Sequence, residues 1–270
     1  MKELKNLFDR LWEDYSAMNR QAGVIRRALE ARGEHVVNDH VAFRTFDAPG
    51  CGIEVLAGPF EKLGYRAAED YRFKEKKLKA RYYAPPEAGL PKVFISALEL
   101  RELTPAAQDF LGELLSQMPK FSGTDNLISG PLWKPVSWPQ YQALLRESEY
   151  AAWMAALGFR VNHFTVFFNA LKTFSDLAAL NAFIKGLGFP LNERGGEIKG
   201  SSAVFLEQSS TMAQPVETLF SDRTAVIPAC YYEFARRYPG KDGNLFEGFI
   251  PDSADKIFES TDFRAPKPSS

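Results

Sequence analysis

The chain repeats one order of hydrophobic patterns, and this repetition restricts the folds that it can adopt. Residues 40–46 and 159–169 alternate in polarity, which predicts a strand at the beginning of each half. A helical pattern follows each strand and ends in Leu-Gly-aromatic, at residues 63–65 and 187–189, and short strand-like runs come next. We therefore predict an internally duplicated βαβββ module.

Helical patterns precede the first module and separate the two modules. Apolar residues at helical spacing predict one amphipathic helix over residues 2–32. Thr104 and Pro105 predict the start of a central helix, because proline is favoured in the first turn. A second central helix is predicted from Ser137 to Leu157. The predicted fold class is α+β, with added N-terminal and central helices beside the duplicated modules.

The composition argues against several classes of partner. Lys and Arg number 33 and Asp and Glu number 34, so the net charge of -1 predicts no binding to nucleic acid or to an anionic membrane. No stretch approaches the roughly 20 apolar residues of a membrane helix. Cys51 and Cys230 fit neither a metal-binding spacing nor a disulfide framework. With a charged N-terminus that lacks the apolar stretch of a signal peptide, these features predict a cytoplasmic protein.

The chain has only three histidines, and two of them occupy matching positions in the repeat. His40 lies 25 residues before Tyr65, and His163 lies 26 residues before Phe189. Matching positions in related modules can face one shared cleft, where two imidazoles and a carboxylate form a ligand set typical of non-haem iron(II). The pattern equally allows two histidines with structural hydrogen bonds only. His35 is interpreted as a surface residue in a loop.

Four other polar residues are candidates for such a site. Glu99 and Glu233 each accompany the last strand of a module, and the pattern does not choose between them. Arg44 follows His40 by four residues, so both face the same side of a strand. A buried arginine there predicts an anionic partner, which is either a substrate carboxylate or a nearby acidic side chain. Gln208 is a candidate for orienting a ligand or the substrate.

Five segments together resemble the 2-oxoadipate dioxygenase/decarboxylase family, whose members are also called 2-hydroxyglutarate synthases. The segments are NDHVAFRTF, VNHFTVFFN, VFLEQSS, PACYYEFARRYP and FIPDSADKIFES, and the resemblance covers residues 36 to 260 or so. The resemblance implies a vicinal-oxygen-chelate-like fold with a curved sheet, in agreement with the duplicated module. It implies Fe(II) as cofactor and a small 2-oxoacid and dioxygen as substrates. The implied reaction converts 2-oxoadipate to 2-hydroxyglutarate and CO2, as in lysine catabolism.

The resemblance also assigns roles to residues. The implied metal ligands are His40, His163 and Glu233, which favours Glu233 over Glu99. The predicted substrate-binding residues are Arg44, Gln208, Asp252 and Ser253. Arg44 is also the predicted catalytic residue, because it would fix the orientation of the substrate through a carboxylate. Asp252 replaces an apolar residue of the best-understood members, which puts an identical substrate in doubt. This chain is also shorter than those members between the YYEF strand and the C-terminal motif.

Two alternative functions use the same residues. One is another metal-dependent lyase, isomerase or hydrolase of the vicinal oxygen chelate type, and the other is a non-catalytic small-molecule binding protein. The sequence does not predict the oligomeric state. The predicted organisation is a single catalytic domain over residues 1–262 and a disordered tail over residues 263–270. The domain comprises module one at 36–100, a helical insert at 101–158, module two at 159–238 and a C-terminal substrate segment at 245–260, with approximate bounds.

Overall fold

A computed structural model of the chain describes residues 2–261, and both modules contribute strands to one sheet. The helices are α1 Lys2–Met18, α2 Arg20–Ala31, α3 Ile53–Lys62, α4 Pro105–Leu115, α5 Trp138–Glu147, α6 Glu149–Leu157, α7 Leu177–Gly186 and α8 Pro251–Phe258. The strands are β1 Asn38–Phe46, β2 Arg66–Phe73, β3 Leu78–Ala84, β4 Lys92–Leu98, β5 Val161–Phe167, β6 Lys199–Ser201, β7 Leu206–Ser210, β8 Pro215–Leu219, β9 Thr224–Pro228 and β10 Tyr231–Arg237.

The order of strands in the sheet is symmetric about its centre. Within the described part of the chain this order is β2-β3-β4-β1-β5-β10-β7-β6. The first strands of the two modules, β1 and β5, pair antiparallel at the centre, and each lies parallel to the last strand of its own module. Antiparallel neighbours complete each module, and a separate hairpin of β8 and β9 is inserted before β10. The predicted duplication of a βαβββ module is therefore confirmed.

Different elements cover the two faces of the sheet. Because side chains alternate along a strand, Phe43 and Phe164 face away from the histidines, and they pack against Phe60 of α3 and Trp12 of α1. The opposite face, which carries the histidines, lies against α6 and α8. Both faces of the sheet are thus covered, in agreement with the burial of every residue of β1 after Asn38 and of every residue of β5 before Phe167.

Two helices that the pattern predicts as continuous are divided. The single helix predicted over residues 2–32 is wrong, because Asn19 leaves the helical conformation (φ -123°, ψ 71°) and its side chain donates to Tyr15 Oη. The second central helix is also divided, because Ser148 is extended and its hydroxyl accepts from the Ala151 amide to begin α6. A capping residue within an apolar repeat does not disturb the periodicity, so the pattern alone misses it.

The predicted boundaries of the domain and its segments stay predictions. The disordered tail predicted at residues 263–270 lies outside the described residues. No helix of residues 2–261 has both the length and the apolar character needed to cross a membrane.

Candidate metal centre

The central strand pair places the two predicted histidines side by side. His40 on β1 lies opposite Thr165, and His163 on β5 lies opposite Ala42. Since side chains alternate with a period of two, this register puts both imidazoles on the same face of the sheet. Their Nε2 atoms are 3.3 Å apart, and both residues are buried. The two histidines therefore lie together on one face of the sheet, as their matching positions in the repeat predicted.

Glu233 on β10 completes a cluster with both histidines. It lies opposite Thr165, one strand further on, and its carboxylate oxygens are 3.2 Å from His163 Nε2 and 3.8 Å from His40 Nε2. One ligand atom of each residue lies within 4.8 Å of the others, and all three side chains are buried. Two imidazoles and one carboxylate are a donor set that fits a transition metal and leaves coordination positions for other ligands.

The rival carboxylate, Glu99, lies elsewhere. The register of β4 with β1 pairs Lys92 with His40, so Glu99 follows β4 roughly 20 Å along the strand. There it accepts hydrogen bonds of 3.1 and 3.3 Å from the Arg72 guanidinium. The position of module one that corresponds to Glu233 is occupied by Phe94, and the duplicated modules therefore supply one carboxylate rather than two.

Burial shifts the pKa values of Glu233 and His163 in opposite directions. Burial raises the pKa of the Glu233 carboxyl above its usual value, although His40 and Gln208 act in the opposite direction. Burial lowers the pKa of His163 well below its usual value, and His40 adds to this effect. A divalent cation here would favour the ionised carboxylate and the neutral imidazoles, which are the forms that bind metal.

A carboxylate orients the first histidine. Asp39 Oδ1 lies 2.8 Å from His40 Nδ1, so it accepts the Nδ1 proton and leaves the Nε2 lone pair for a metal. Asp39 in turn accepts two hydrogen bonds from Arg237. Burial alone would raise the pKa of Asp39, but Arg237 and His40 hold it well below its usual range. Asp39 is therefore ionised and fixes the tautomer of His40.

The second histidine has a matching arrangement. Asn162 Oδ1 lies 3.0 Å from His163 Nδ1, so each histidine contacts the residue that precedes it in the chain. The ring of Tyr231 stacks on the His163 ring, with centroids 4.6 Å apart and an interplanar angle of 25°. Gln208, a predicted site residue, donates a 2.6 Å hydrogen bond to Glu233 Oε1. Each of the three clustered side chains is thus held by a neighbour.

An apolar cavity lies beside the cluster, under the C-terminal segment. Its volume is about 20 Å³, which is close to the space of a single water molecule. Besides the cluster and Gln208, its lining residues are Phe94, Phe249, Ala254, Ile257 and Phe258. The phenylalanines of the two histidine strands do not line it. The apolar wall comes instead from Phe94 of β4 and from the C-terminal segment that the family resemblance associates with the substrate.

Arg44 is buried on the histidine face but pairs with protein groups. It donates 2.9 Å to Glu149 Oε1 and 2.8 Å to Thr261 Oγ1, and it lies between the rings of Tyr150 and Trp153. Its Nε atom has no hydrogen-bond partner among the described residues. The acidic neighbour allowed by the sequence is therefore present, and contact with a substrate carboxylate stays a prediction.

The two predicted residues of the C-terminal motif differ in environment. Ser253 is buried, and its Oγ lies close to Gly200 of β6. A Cβ atom added at that glycine would be 3.3 Å from the Oγ atom. Asp252 is exposed in the first turn of α8, whereas Ala254 and Ile257 line the cavity. The geometry gives Asp252 no contact with the cluster, and its predicted role in substrate binding stays a prediction.

Sequence reasoning missed four residues that support the cluster. Asp39 and Asn162 have a signal in hindsight, because a polar residue precedes each matching histidine in NDH and VNH. The sequence signal for Tyr231 is weaker: it lies two residues before Glu233, so both side chains face the same side of the strand. Arg237 has no local signal, since it reaches Asp39 across 198 residues of sequence.

Two βαβββ modules that place two histidines and a glutamate under a C-terminal helix define a class of protein. That class has a vicinal-oxygen-chelate-like fold with a candidate metal centre at the junction of the modules. The sequence model of the 2-oxoadipate dioxygenase/decarboxylase family matches residues 2–124 and 122–245. The chain therefore belongs to the 2-oxoadipate dioxygenase/decarboxylase family, and the resemblance seen in its motifs is confirmed.

Relatives with this name are similar over most of the chain. The 2-oxoadipate dioxygenase/decarboxylase of Oryza sativa subsp. japonica is 38% identical over 257 residues, which are 85% of this chain and 70% of the relative. A crystal structure of the hydroxyglutarate synthase from Oryza sativa in complex with 2-oxoadipate has a TM-score of 0.92 at 33% identity. That alignment covers 97% of this chain and 93% of the other.

Two further solved structures bear on the fold and on the alternatives. A protein from Shewanella frigidimarina, assigned as a hydrolase, is 45% identical, with a TM-score of 0.87 and coverage of 92% of this chain and 98% of that one. A protein from Ralstonia eutropha, assigned to the glyoxalase superfamily, has a TM-score of 0.71 at 22% identity and covers 91% of this chain and 85% of that one. The latter supports the fold alone, and the predicted vicinal-oxygen-chelate-like fold is confirmed. The Oryza relative is named as chloroplastic or amyloplastic, so the cytoplasmic location of this chain stays a prediction.

Proposed function

We propose that this protein is a non-haem iron(II)-dependent oxygenase that oxidatively decarboxylates and hydroxylates a 2-oxoacid. The proposed substrates are 2-oxoadipate and dioxygen, and the proposed products are 2-hydroxyglutarate and CO2. The observation that carries the proposal is the buried cluster of His40, His163 and Glu233 in a member of this family. A relative of similar structure that binds 2-oxoadipate supports the choice of substrate.

His40, His163 and Glu233 would hold the iron. Iron(II) bound there would supply reactivity toward dioxygen and open positions for a chelating 2-oxoacid. Asp39 and Asn162 occupy the Nδ1 atoms of the histidines and so direct both Nε2 atoms toward the ion. This orientation suits a metal site better than two histidines with structural roles only, whose Nε2 atoms would not need to converge with a carboxylate.

Arg44 is the proposed anchor for a substrate carboxylate. Its pairing with Glu149 uses Nη1, while Nη2 donates to a neutral threonine hydroxyl, Thr261, and Nε has no partner within residues 2–261. A carboxylate could accept from Nε and Nη2 together in the bidentate geometry that arginine favours. An ionised acceptor would bind more strongly than the hydroxyl does, and it would fix the orientation of the substrate.

The C-terminal segment would form the roof of the reaction site. A 2-oxoacid is much larger than the cavity of about 20 Å³, so the proposal includes a displacement of α8, which covers the cluster, when the substrate enters. Phe249, Ile257 and Phe258 would then close over the bound substrate and exclude water from the reacting atoms. Ser253 on the same helix, and Gln208 beneath it, are proposed as further substrate contacts.

Oxygen consumption tests the proposal directly. Purified protein loaded anaerobically with iron(II) is given a panel of 2-oxoacids, and oxygen uptake, CO2 and the hydroxyacid product are measured. We expect one CO2 and one 2-hydroxyglutarate for each dioxygen consumed with 2-oxoadipate. Glu233→Gln should abolish turnover, whereas Glu99→Gln, which alters the rival carboxylate, should retain it. Turnover that persists without oxygen, or equally well with zinc, would instead identify a lyase, isomerase or hydrolase.

A further inference from the structure

Several buried polar atoms without hydrogen-bond partners lie around the metal cluster. Within residues 2–261 they include Arg44 Nε, Gln208 Oε1 and the hydroxyl of Tyr231. Buried polar groups in native proteins are nearly always hydrogen-bonded, so unpartnered atoms on the face of the sheet that carries the metal cluster are candidates for contacts with a ligand. Of these three residues, Tyr231 has no role in the reaction proposed above.

Tyr231 belongs to the metal site by position. It lies opposite His163 in the pairing of β10 with β5, and it stacks on that ring. The charged side chains that act most strongly on its hydroxyl are Glu233 and then Arg44. The phenol therefore lies on the same face of the sheet as the metal ligands, near enough to Glu233 and to Arg44 for both charges to act on it.

The movement that admits a substrate would also uncover this hydroxyl. Ile257 of α8 lines the cavity beside the cluster, and it also packs with Tyr231 and Ala213 in a separate small apolar group. Displacement of α8 would therefore open space next to Tyr231 as well as next to the metal ligands. A phenol in this space can donate one hydrogen bond, and a 2-oxoacid presents only acceptor oxygens there.

We propose that the Tyr231 hydroxyl donates a hydrogen bond to a carboxylate or keto oxygen of the bound 2-oxoacid, and so helps to select and orient the substrate. This inference rests on the proposed function, since it assumes that a 2-oxoacid binds at the cluster. Under this inference both Tyr231 and Arg44 bind oxygen atoms of the substrate. Tyr231 is a neutral hydrogen-bond donor and Arg44 is a charged one.

The neighbouring residue provides a matched control. Tyr232 is equally buried, and its hydroxyl also lacks a partner in the described part of the chain. It faces the other side of the sheet, where its ring packs against Trp12 of α1. Tyr231→Phe and Tyr232→Phe therefore remove the same unpartnered group from the two faces of one strand.

The test measures the binding of substrate and the stability of the protein. Binding of 2-oxoadipate to iron(II)-loaded protein is measured anaerobically by calorimetry, and the thermal midpoint of unfolding is measured without substrate. We expect Tyr231→Phe to raise the Kd roughly tenfold, because one hydrogen bond to a charged group is lost. The midpoint without substrate should not fall, because the hydroxyl has no partner to lose. Tyr232→Phe should leave the Kd unchanged.

Three other outcomes would overturn this inference, and one of them would also overturn the proposed function. Wild-type affinity in Tyr231→Phe would overturn this inference and leave the proposed function standing. A lower midpoint with unchanged affinity would also overturn it, since the hydroxyl would then be structural. Wild-type protein that binds no 2-oxoacid would overturn the proposed function, and this inference with it.

Discussion

Asp39 and Arg237 form a buried ion pair with two hydrogen bonds, of 2.6 and 2.8 Å, across 198 residues of sequence. Arg237 also donates to the backbone carbonyls of Phe246 and Gly248, just before α8. Asp39 accepts from His40 on its other side. This pair therefore connects a candidate metal ligand with the segment that leads into the roof of the cavity.

Removal of Arg237 should destabilise the protein strongly. Arg237→Met would leave the buried carboxylate of Asp39 without its counter-ion, and such a loss costs about 3–5 kcal/mol. We expect the free energy of unfolding in urea to fall by that amount in metal-free protein. Arg236→Met is the matched control, because Arg236 is only partly buried and forms cation–π contacts on the other side of the strand. An equal loss in both variants would contradict the special role of this ion pair.

The effect of Arg237→Met should depend on pH. The pKa of Asp39 is well below its usual range in the folded protein, so the folded state binds fewer protons than the unfolded state as the pH falls through about 4. In wild type, the stability that this low pKa contributes is complete above that pH and is lost below it. Because the unfolded state is common to both proteins, the difference in unfolding free energy depends on the pKa of Asp39 in the two folded states, and burial without Arg237 raises that pKa in the variant. The difference should therefore narrow as the pH falls from neutral toward the low pKa of Asp39 in folded wild type, since the carboxyl of the variant takes up its proton first. A difference that stays constant over that range would contradict this assignment.

Metal should stabilise the folded protein, and the effect should require Glu233. Binding to the folded state alone adds about 2.7 kcal/mol when the free metal is a hundredfold above its Kd. We expect iron(II), added anaerobically, to raise the thermal midpoint of wild type and of Glu99→Gln, and a chelator to reverse the rise. Glu233→Gln should show little or no rise. A rise of equal size in Glu233→Gln would mean that the ion binds elsewhere.

Gln208 should affect metal affinity through Glu233. Its amide donates 2.6 Å to Glu233 Oε1, and loss of a partner of this kind weakens metal binding by about 10–100-fold. We expect that loss for Gln208→Ala in a metal titration followed by competition with a chelator. Ser209→Ala is the control, because Ser209 lies on the opposite face and contacts Asn181 of α7. Unchanged affinity in Gln208→Ala would show that Glu233 is held without it.

Arg44→Lys should separate substrate binding from metal binding. Lysine keeps the charge but not the planar fork that binds a carboxylate through two atoms. We expect the KM for 2-oxoadipate to rise by at least roughly tenfold, while the stabilisation by metal remains. Arg72→Lys, at the partly exposed pair with Glu99, should change neither quantity. A normal KM in Arg44→Lys would remove Arg44 from its proposed role.

Most local structure is accessible from sequence, because its causes are local. Alternation and helical spacing predict the strands and most helices of both modules, and Thr104 begins α4 as predicted. The errors at Asn19 and Ser148 come from single residues that leave the helical conformation, and of these Ser148 also caps the next helix through its hydroxyl. The apolar wall beside the histidines has no local cause of this kind, since it combines Phe94 of β4 with residues of the C-terminal segment that are remote from it in sequence.

The sequence by itself determined that the module is duplicated and that two histidines occupy matching positions. The residue pattern left Glu99 and Glu233 as alternatives, and only the family resemblance favoured Glu233. The tertiary structure gives the physical reason, because which carboxylate joins the histidines depends on strand register. Parallel pairing of β10 with β5 brings Glu233 beside His163, whereas the same pairing in module one brings Phe94 to the equivalent place and carries Glu99 beyond it. Register is a long-range property, fixed when whole strands bury their faces together, and no local pattern specifies it.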